Sequence, residues 1–171
     1  MQLLRSAALI TLSILGASLT TPTTMAASGP VADVDPPISC EVTRRPDNSF
    51  VPPKPYPEHP DDGRFWFGTT KLWTNLNADG KWRGLHTESG YRDKLVWYSE
   101  GYDWMAKTNP RLTVVGKRTD AGAPPFVTYG NASRKSYSFM MSGITVPTAG
   151  CWELTGDYKG QKLSFVVWVA P

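Results

Sequence analysis

Within residues 151–169 the chain reads Cys151-Trp152-Glu153-Leu154-Thr155-Gly156, then Tyr158-Lys159-Gly160-Gln161, then Leu163-Ser164-Phe165-Val166-Val167-Trp168-Val169. The outer two runs are rich in β-branched and aromatic residues, and the inner one carries a glycine for a tight reversal, which together spell a β-hairpin. Leu163, Phe165, Val167 and Val169 share one face at period two. Val166 and Trp168 leave the opposite face apolar as well. Trp152 and Trp168 are assigned to the core, and Glu153 then points outward as a surface cross-strand partner.

Working upstream, short runs of the same character recur. Phe126-Val127-Thr128-Tyr129 follows the break at Ala123-Pro124-Pro125, residues 111–117 follow Pro110, and Leu95-Val96-Trp97-Tyr98 follows a polar loop at 86–91. Arg64-Phe65-Trp66-Phe67 and residues 71–76 form a further pair, closed by the turn Asn77-Ala78-Asp79-Gly80. No stretch of twelve residues places apolar positions at helical spacing behind a cap. About seven short strands between turn signals predict an all-β chain, an immunoglobulin-like antiparallel β-sandwich, with a small closed barrel as the structural alternative.

The run Ile144-Thr145-Val146-Pro147-Thr148-Ala149-Gly150-Cys151-Trp152-Glu153, continuing into the hairpin, looks like the closing strands of an immunoglobulin-like module. It resembles a group of uncharacterised secreted bacterial proteins that end in a Gly-Cys-Trp-Glu hairpin and carry an upstream cysteine near the mature start. Gly63-Arg64-Phe65-Trp66 and Leu72-Trp73 stand where that group has its aromatic motif, so the resemblance spans residues 40–169. It implies architecture and no particular activity.

The 171 residues leave room for one domain. Arg5 followed by the apolar residues 7–19 reads as a signal peptide over 1–27, cleaved near Ala26 or Ala27. Residues 28–39, poor in aromatics, are expected as a flexible tether, and 40–171 as the domain. Cys40 and Cys151 are the two cysteines, and in an exported chain they are expected to pair. Cys40 lies too far beyond the apolar core to be a lipid attachment site. Prolines 46, 52, 53, 55, 57 and 60 favour an extended loop over 46–60, laid on the domain surface and adhering through Phe50, Val51 and Tyr56. No second apolar run is long enough to span a membrane after signal cleavage. A net charge of +3, with Arg44-Arg45 and Arg134-Lys135 as the longest basic clusters, does not indicate nucleic-acid binding.

For catalysis the sequence offers little. It holds no Gly-x-Ser-x-Gly elbow. His59 beside Asp61 and Asp62, and His86 beside Glu88, read as exposed loop residues rather than metal ligands. Glu88, Asp93, Glu100, Asp103 and Glu153 are carboxylates with no evident pairing, and nothing calls for a cofactor. Asn131-Ala132-Ser133 fits a glycosylation pattern in a loop.

Seven tryptophans are the feature with most functional room. Trp82, Tyr91, Tyr102 and Trp104 sit in the polar, turn-rich part and are the candidate ligand-binding residues, as faces on which sugar rings stack. The competing reading makes them lids packed over the ends of the core. The sequence thus points to a secreted, non-catalytic module that binds or scaffolds an unknown protein or carbohydrate. A carbohydrate-binding module is the alternative, and a small secreted hydrolase the rival from another class.

Overall fold

The computed structural model describes residues 29–30, 33–61, 63–134 and 138–171. The expected signal peptide and Asp62 lie outside the described residues. Among those described there is no helix, and none long or apolar enough to cross a membrane. Ten strands are present: β1 (Gly29–Pro30), β2 (Arg64–Thr69), β3 (Leu72–Asn77), β4 (Leu85–Thr87), β5 (Gly90–Tyr98), β6 (Thr113–Arg118), β7 (Phe126–Arg134), β8 (Ser138–Val146), β9 (Gly150–Tyr158) and β10 (Gln161–Val169).

All strand pairs are antiparallel and follow one continuous order, β1-β4-β5-β8-β7-β6-β9-β10, with the β2–β3 hairpin joined to β5. The expected all-β antiparallel class is therefore present, but the seven-strand sandwich is not what the sheet order describes. One sheet rolls until it is almost a barrel, and β7 is the reason. Its first half, 126–129, pairs with β6, and its second half, 130–134, pairs with β8. Gly130 sits at the changeover, where a Cβ would lie 2.6 Å from the Leu112 side chain. A glycine at such a corner lets two backbones approach while the sheet turns.

Closure depends on the outer edge of β10. Trp168 donates its backbone N–H to Gly80 O and accepts from Trp82 N, at 2.9 and 2.8 Å. Val166 is met by Thr43, which donates N–H to Val166 O and accepts from Val166 N through Oγ1, both at 2.9 Å. An edge that could pair with another chain is thereby occupied by the chain's own loops. The Cys40–Cys151 disulfide, with Cα atoms 5.7 Å apart across a separation of 111 residues, pins this strap to β9. Such a bond points to an oxidising, extracytoplasmic environment.

Alternation along each strand sorts the side chains. Trp97, Met140, Ile144, Val146, Trp152, Leu154 and Phe165 fill the barrel interior. Trp97 Nε1 donates to the buried Ser142 Oγ at 2.9 Å, and Gly156 leaves room for the same indole, a Cβ there lying 2.4 Å from its ring. The opposite parity in β2, β3, β5 and β8 builds a second cluster of Trp66, Trp73 and Tyr98 with Val96 and Phe139, on the outside of the barrel. Phe50 and Tyr56 of the proline-rich segment roof it, and Trp66 Nε1 donates to Pro57 O at 3.0 Å. Val51, the third residue expected to adhere, remains exposed.

Four local readings differ from expectation. Residues 86–91 are a tight β4–β5 turn instead of a polar loop. Trp168 stands half-buried on the outer face of β10, its Nε1 donating to Val34 O at 3.1 Å, because its parity opposes that of Val167 and Val169. The described part of the 28–39 stretch is docked: β1 pairs with β4, and Lys81 Nζ lies 2.9 Å from Asp33 and 2.7 Å from Asp35. Asn131 is exposed within β7, not in a loop.

The turn entering β9 is held by Arg118, whose Nε donates to Asp120 Oδ1 at 2.7 Å and whose Nη1 reaches Thr148 Oγ1 at 3.1 Å. That hydrogen bond holds the Asp120 carboxyl below the usual carboxylate range. A group titrating lower in the folded than in the unfolded chain stabilises above its unfolded pKa and ceases to do so as pH falls through the folded one. Urea midpoints of the parent and Asp120→Asn proteins are therefore expected to differ near neutrality and to converge as pH falls below the ordinary carboxylate range, where the folded carboxyl also takes up its proton. Parallel curves throughout would show that Asp120 is not linked to folding.

Candidate functional site

The four aromatic residues singled out from the sequence are not gathered into an open face. Trp82, Tyr91 and Tyr102 retain 4, 7 and 5 % of their surface, and Trp104 is half-buried against the same interior core. Tyr91 is also covered by the exposed His86 ring, stacked at 4.6 Å. Tyr102 packs edge-on against Tyr158 at 6.0 Å and donates its hydroxyl to Lys107 O at 3.2 Å. These contacts make the four part of the interior core or its margin, and a small core needs such large side chains.

The carboxylates are scattered. Glu88 is exposed, Glu100 lies 3.8 Å from Lys71, and Asp103 Oδ1 accepts from Met105 N. Glu153 faces outward on β9, opposite Lys117 and Val166. Asp93 alone among the five has a parity that turns it toward the barrel interior, and burial raises its carboxyl above the usual range, against the opposing Lys94 N–H and the Arg64 charge. It borders a cavity of about 30 Å3 with Trp82, whose Nε1 finds no acceptor among the described residues. That is room for water and far too small for a sugar ring.

His59 and Asp61 border an open cleft of about 670 Å3 beneath the ends of the proline-rich segment. No group of three His, Cys, Asp or Glu side chains able to hold a metal occurs among the described residues.

What is exposed lies elsewhere. On the outer face of β6 and β7, Val115 and Val127 are cross-strand partners, as are Thr113 and Tyr129. Val115, Val127 and Tyr129 keep 38, 55 and 68 % of their surface. The reason is parity: Phe126, Gly130 and Ala132 point inward, with Phe126 against Trp152 at 5.7 Å and the backbone of Gly116. The sequence signal was present in the alternation of Val127 and Tyr129, but it was masked because the inward positions include a glycine and an alanine.

The chain matches no family model, no curated protein and no solved structure.

Proposed function

We propose that this protein is exported and acts outside the cytoplasm as a non-catalytic binding module, with the outer face of β6 and β7 as its contact surface. The observation that carries the reading is the exposed set Val115, Val127 and Tyr129, set against the burial of Trp82, Tyr91 and Tyr102. Export is supported by the apolar stretch at 7–19 and by the disulfide. The resemblance to secreted bacterial proteins, and with it an immunoglobulin-like description of the sheet, belongs to the same proposal. It is supported by the Gly150–Glu153 run and by its pairing with an upstream cysteine.

A solvent-facing tyrosine is a rigid, amphipathic contact residue that loses little conformational entropy on binding. Passed over a panel of immobilised polysaccharides, the purified protein is expected to be retained on at least one, and Tyr129→Ala to weaken that retention about tenfold. Its thermal unfolding should be unchanged, because the ring is mostly in solvent. Release of reducing ends from any polysaccharide would replace this reading with a hydrolase, and retention indifferent to Tyr129→Ala would remove the surface from it.

A further inference from the structure

Beside this face, the 106–111 loop and the β9–β10 turn enclose an open cavity of about 670 Å3 that is bordered by Lys107, Arg111, Tyr158 and Lys159 and by no acidic residue. The carboxylates nearest in sequence are engaged with backbone: Asp157 Oδ1 accepts from Gly160 N at 3.0 Å, and Asp103 Oδ1 from Met105 N at 2.9 Å. Lys159 Nζ stands 5.2 Å from the Tyr158 ring centroid.

Two further features converge on the cavity. Tyr158, 2 % exposed, borders this polar opening, and its buried hydroxyl finds no partner among the described residues. Buried hydroxyls normally find a partner, because leaving one unmade is expensive. Arg111 and Lys159, with φ of 54° and 52°, are the two non-glycine residues in the left-handed region among those described, and both are cations on this wall. For Lys159 the two-residue turn between Tyr158 and Gln161 requires it, whereas Arg111 adopts it outside any hairpin, and strain of that kind tends to collect at functional positions. The Lys159 ammonium beside it also holds Lys107 below the usual lysine range, a repulsion that a bound anion would relieve.

A second open cavity, of about 530 Å3, shares Thr108, Asn109 and Arg111 with the first and extends to Tyr129 and Asn131. Sharing that wall, the two adjoin as a groove with the cations in one cavity and Tyr129 in the other. We propose that this groove binds an acidic polysaccharide, with a carboxylate or sulfate substituent among Lys107, Arg111 and Lys159 against the Tyr158 hydroxyl, and a neighbouring sugar ring on Tyr129. The proposal rests on the binding-module reading above and names its ligand class.

Titration of the full mature chain with polygalacturonate, dextran sulfate, neutral dextran and inorganic sulfate tests it. Expected is binding to at least one acidic polymer, weakened by added salt, with neutral dextran inert. Lys107→Gln/Lys159→Gln should weaken binding at least about tenfold, the usual consequence of removing charge-assisted hydrogen bonds. Tyr158→Phe should weaken it as well while leaving the unfolding temperature unchanged or raised, since it removes a hydroxyl with no protein partner. Tyr129→Ala should weaken binding of the polymer and leave inorganic sulfate unaffected, which separates a polysaccharide from a free oxyanion.

Undiminished binding in the double lysine variant overturns the proposal, as does failure of both acidic polymers. Equal binding to phosphatidylglycerol vesicles or DNA that ignores Tyr129→Ala overturns it in favour of general attraction to polyanions. Binding to a neutral polysaccharide that is lost with Tyr129→Ala, while acidic polymers are ignored, sinks this site and leaves the contact surface on β6 and β7 standing.

Discussion

In urea unfolding, the Cys40→Ala/Cys151→Ala protein is expected to lose about 4 to 5 kcal/mol relative to the oxidised parent, the chain-entropy value for a loop of this length. The bond joins residues 111 positions apart and so removes most of the unfolded chain's freedom to separate its ends. It also holds residues 40–43 against the β10 edge, where Thr43 pairs with Val166 in both directions. Reduction of the parent should reproduce the effect of the double variant, because neither change empties the barrel interior. A loss below about 1 kcal/mol would show that the denatured chain already keeps its ends together.

The second large effect concerns the outer aromatic cluster. Trp73 is fully buried, stacked on Tyr98 at 5.7 Å and met by Tyr56 edge-on at 5.1 Å and by Phe50 at 5.9 Å. Trp73→Ala is expected to cost about 3 to 5 kcal/mol, the usual range for emptying a buried indole. Trp73→Phe should cost less, under about 2 kcal/mol, since a ring remains for Tyr98 and the indole N–H it removes has no acceptor among the described residues. The alanine variant should also be cleaved faster between residues 46 and 60 under native conditions, because Phe50 and Tyr56 lose the surface they roof. Unaltered cleavage would mean that the proline-rich segment is held mainly by contacts such as Trp66 Nε1 to Pro57 O.

These two expectations concern the same physical problem. A chain of this size cannot complete a barrel interior and also leave its large aromatics in water. It resolves this by placing residues of one parity inside and covering much of the other with extended N-terminal chain. Residues 33–35 lie beside Lys81 and Trp168, 40–43 along β10, and 50–57 over Trp73. The aromatic surplus that suggested a stacking platform is thus consumed by packing, and the open outer face of β6 and β7 is of different composition: two valines and a tyrosine, with a group of cations nearby.

Strand content, the C-terminal hairpin and the cysteine pair were legible in the sequence, since each depends on short-range pattern or on there being no other partner. Period two in residues 163–169 marks a strand whichever sheet receives it. The fate of Trp82, Tyr91 and Tyr102 was not legible, because loop residues have no period from which a direction could be read. Trp168 shows the same limit within a strand: alternation says that it opposes Val167, but not which side of β10 is the inside. Rolling of the sheet was decided by tertiary contacts alone, through a β7 that changes partner at Gly130 and a β10 edge met by residues 43, 80 and 82. The convergence of Lys107, Arg111, Tyr158 and Lys159 arises in the same way, from two turns distant in sequence that closure of the sheet brings to one end of the barrel. Local pattern determined what each segment is; only the long-range pairings determined which side chains meet.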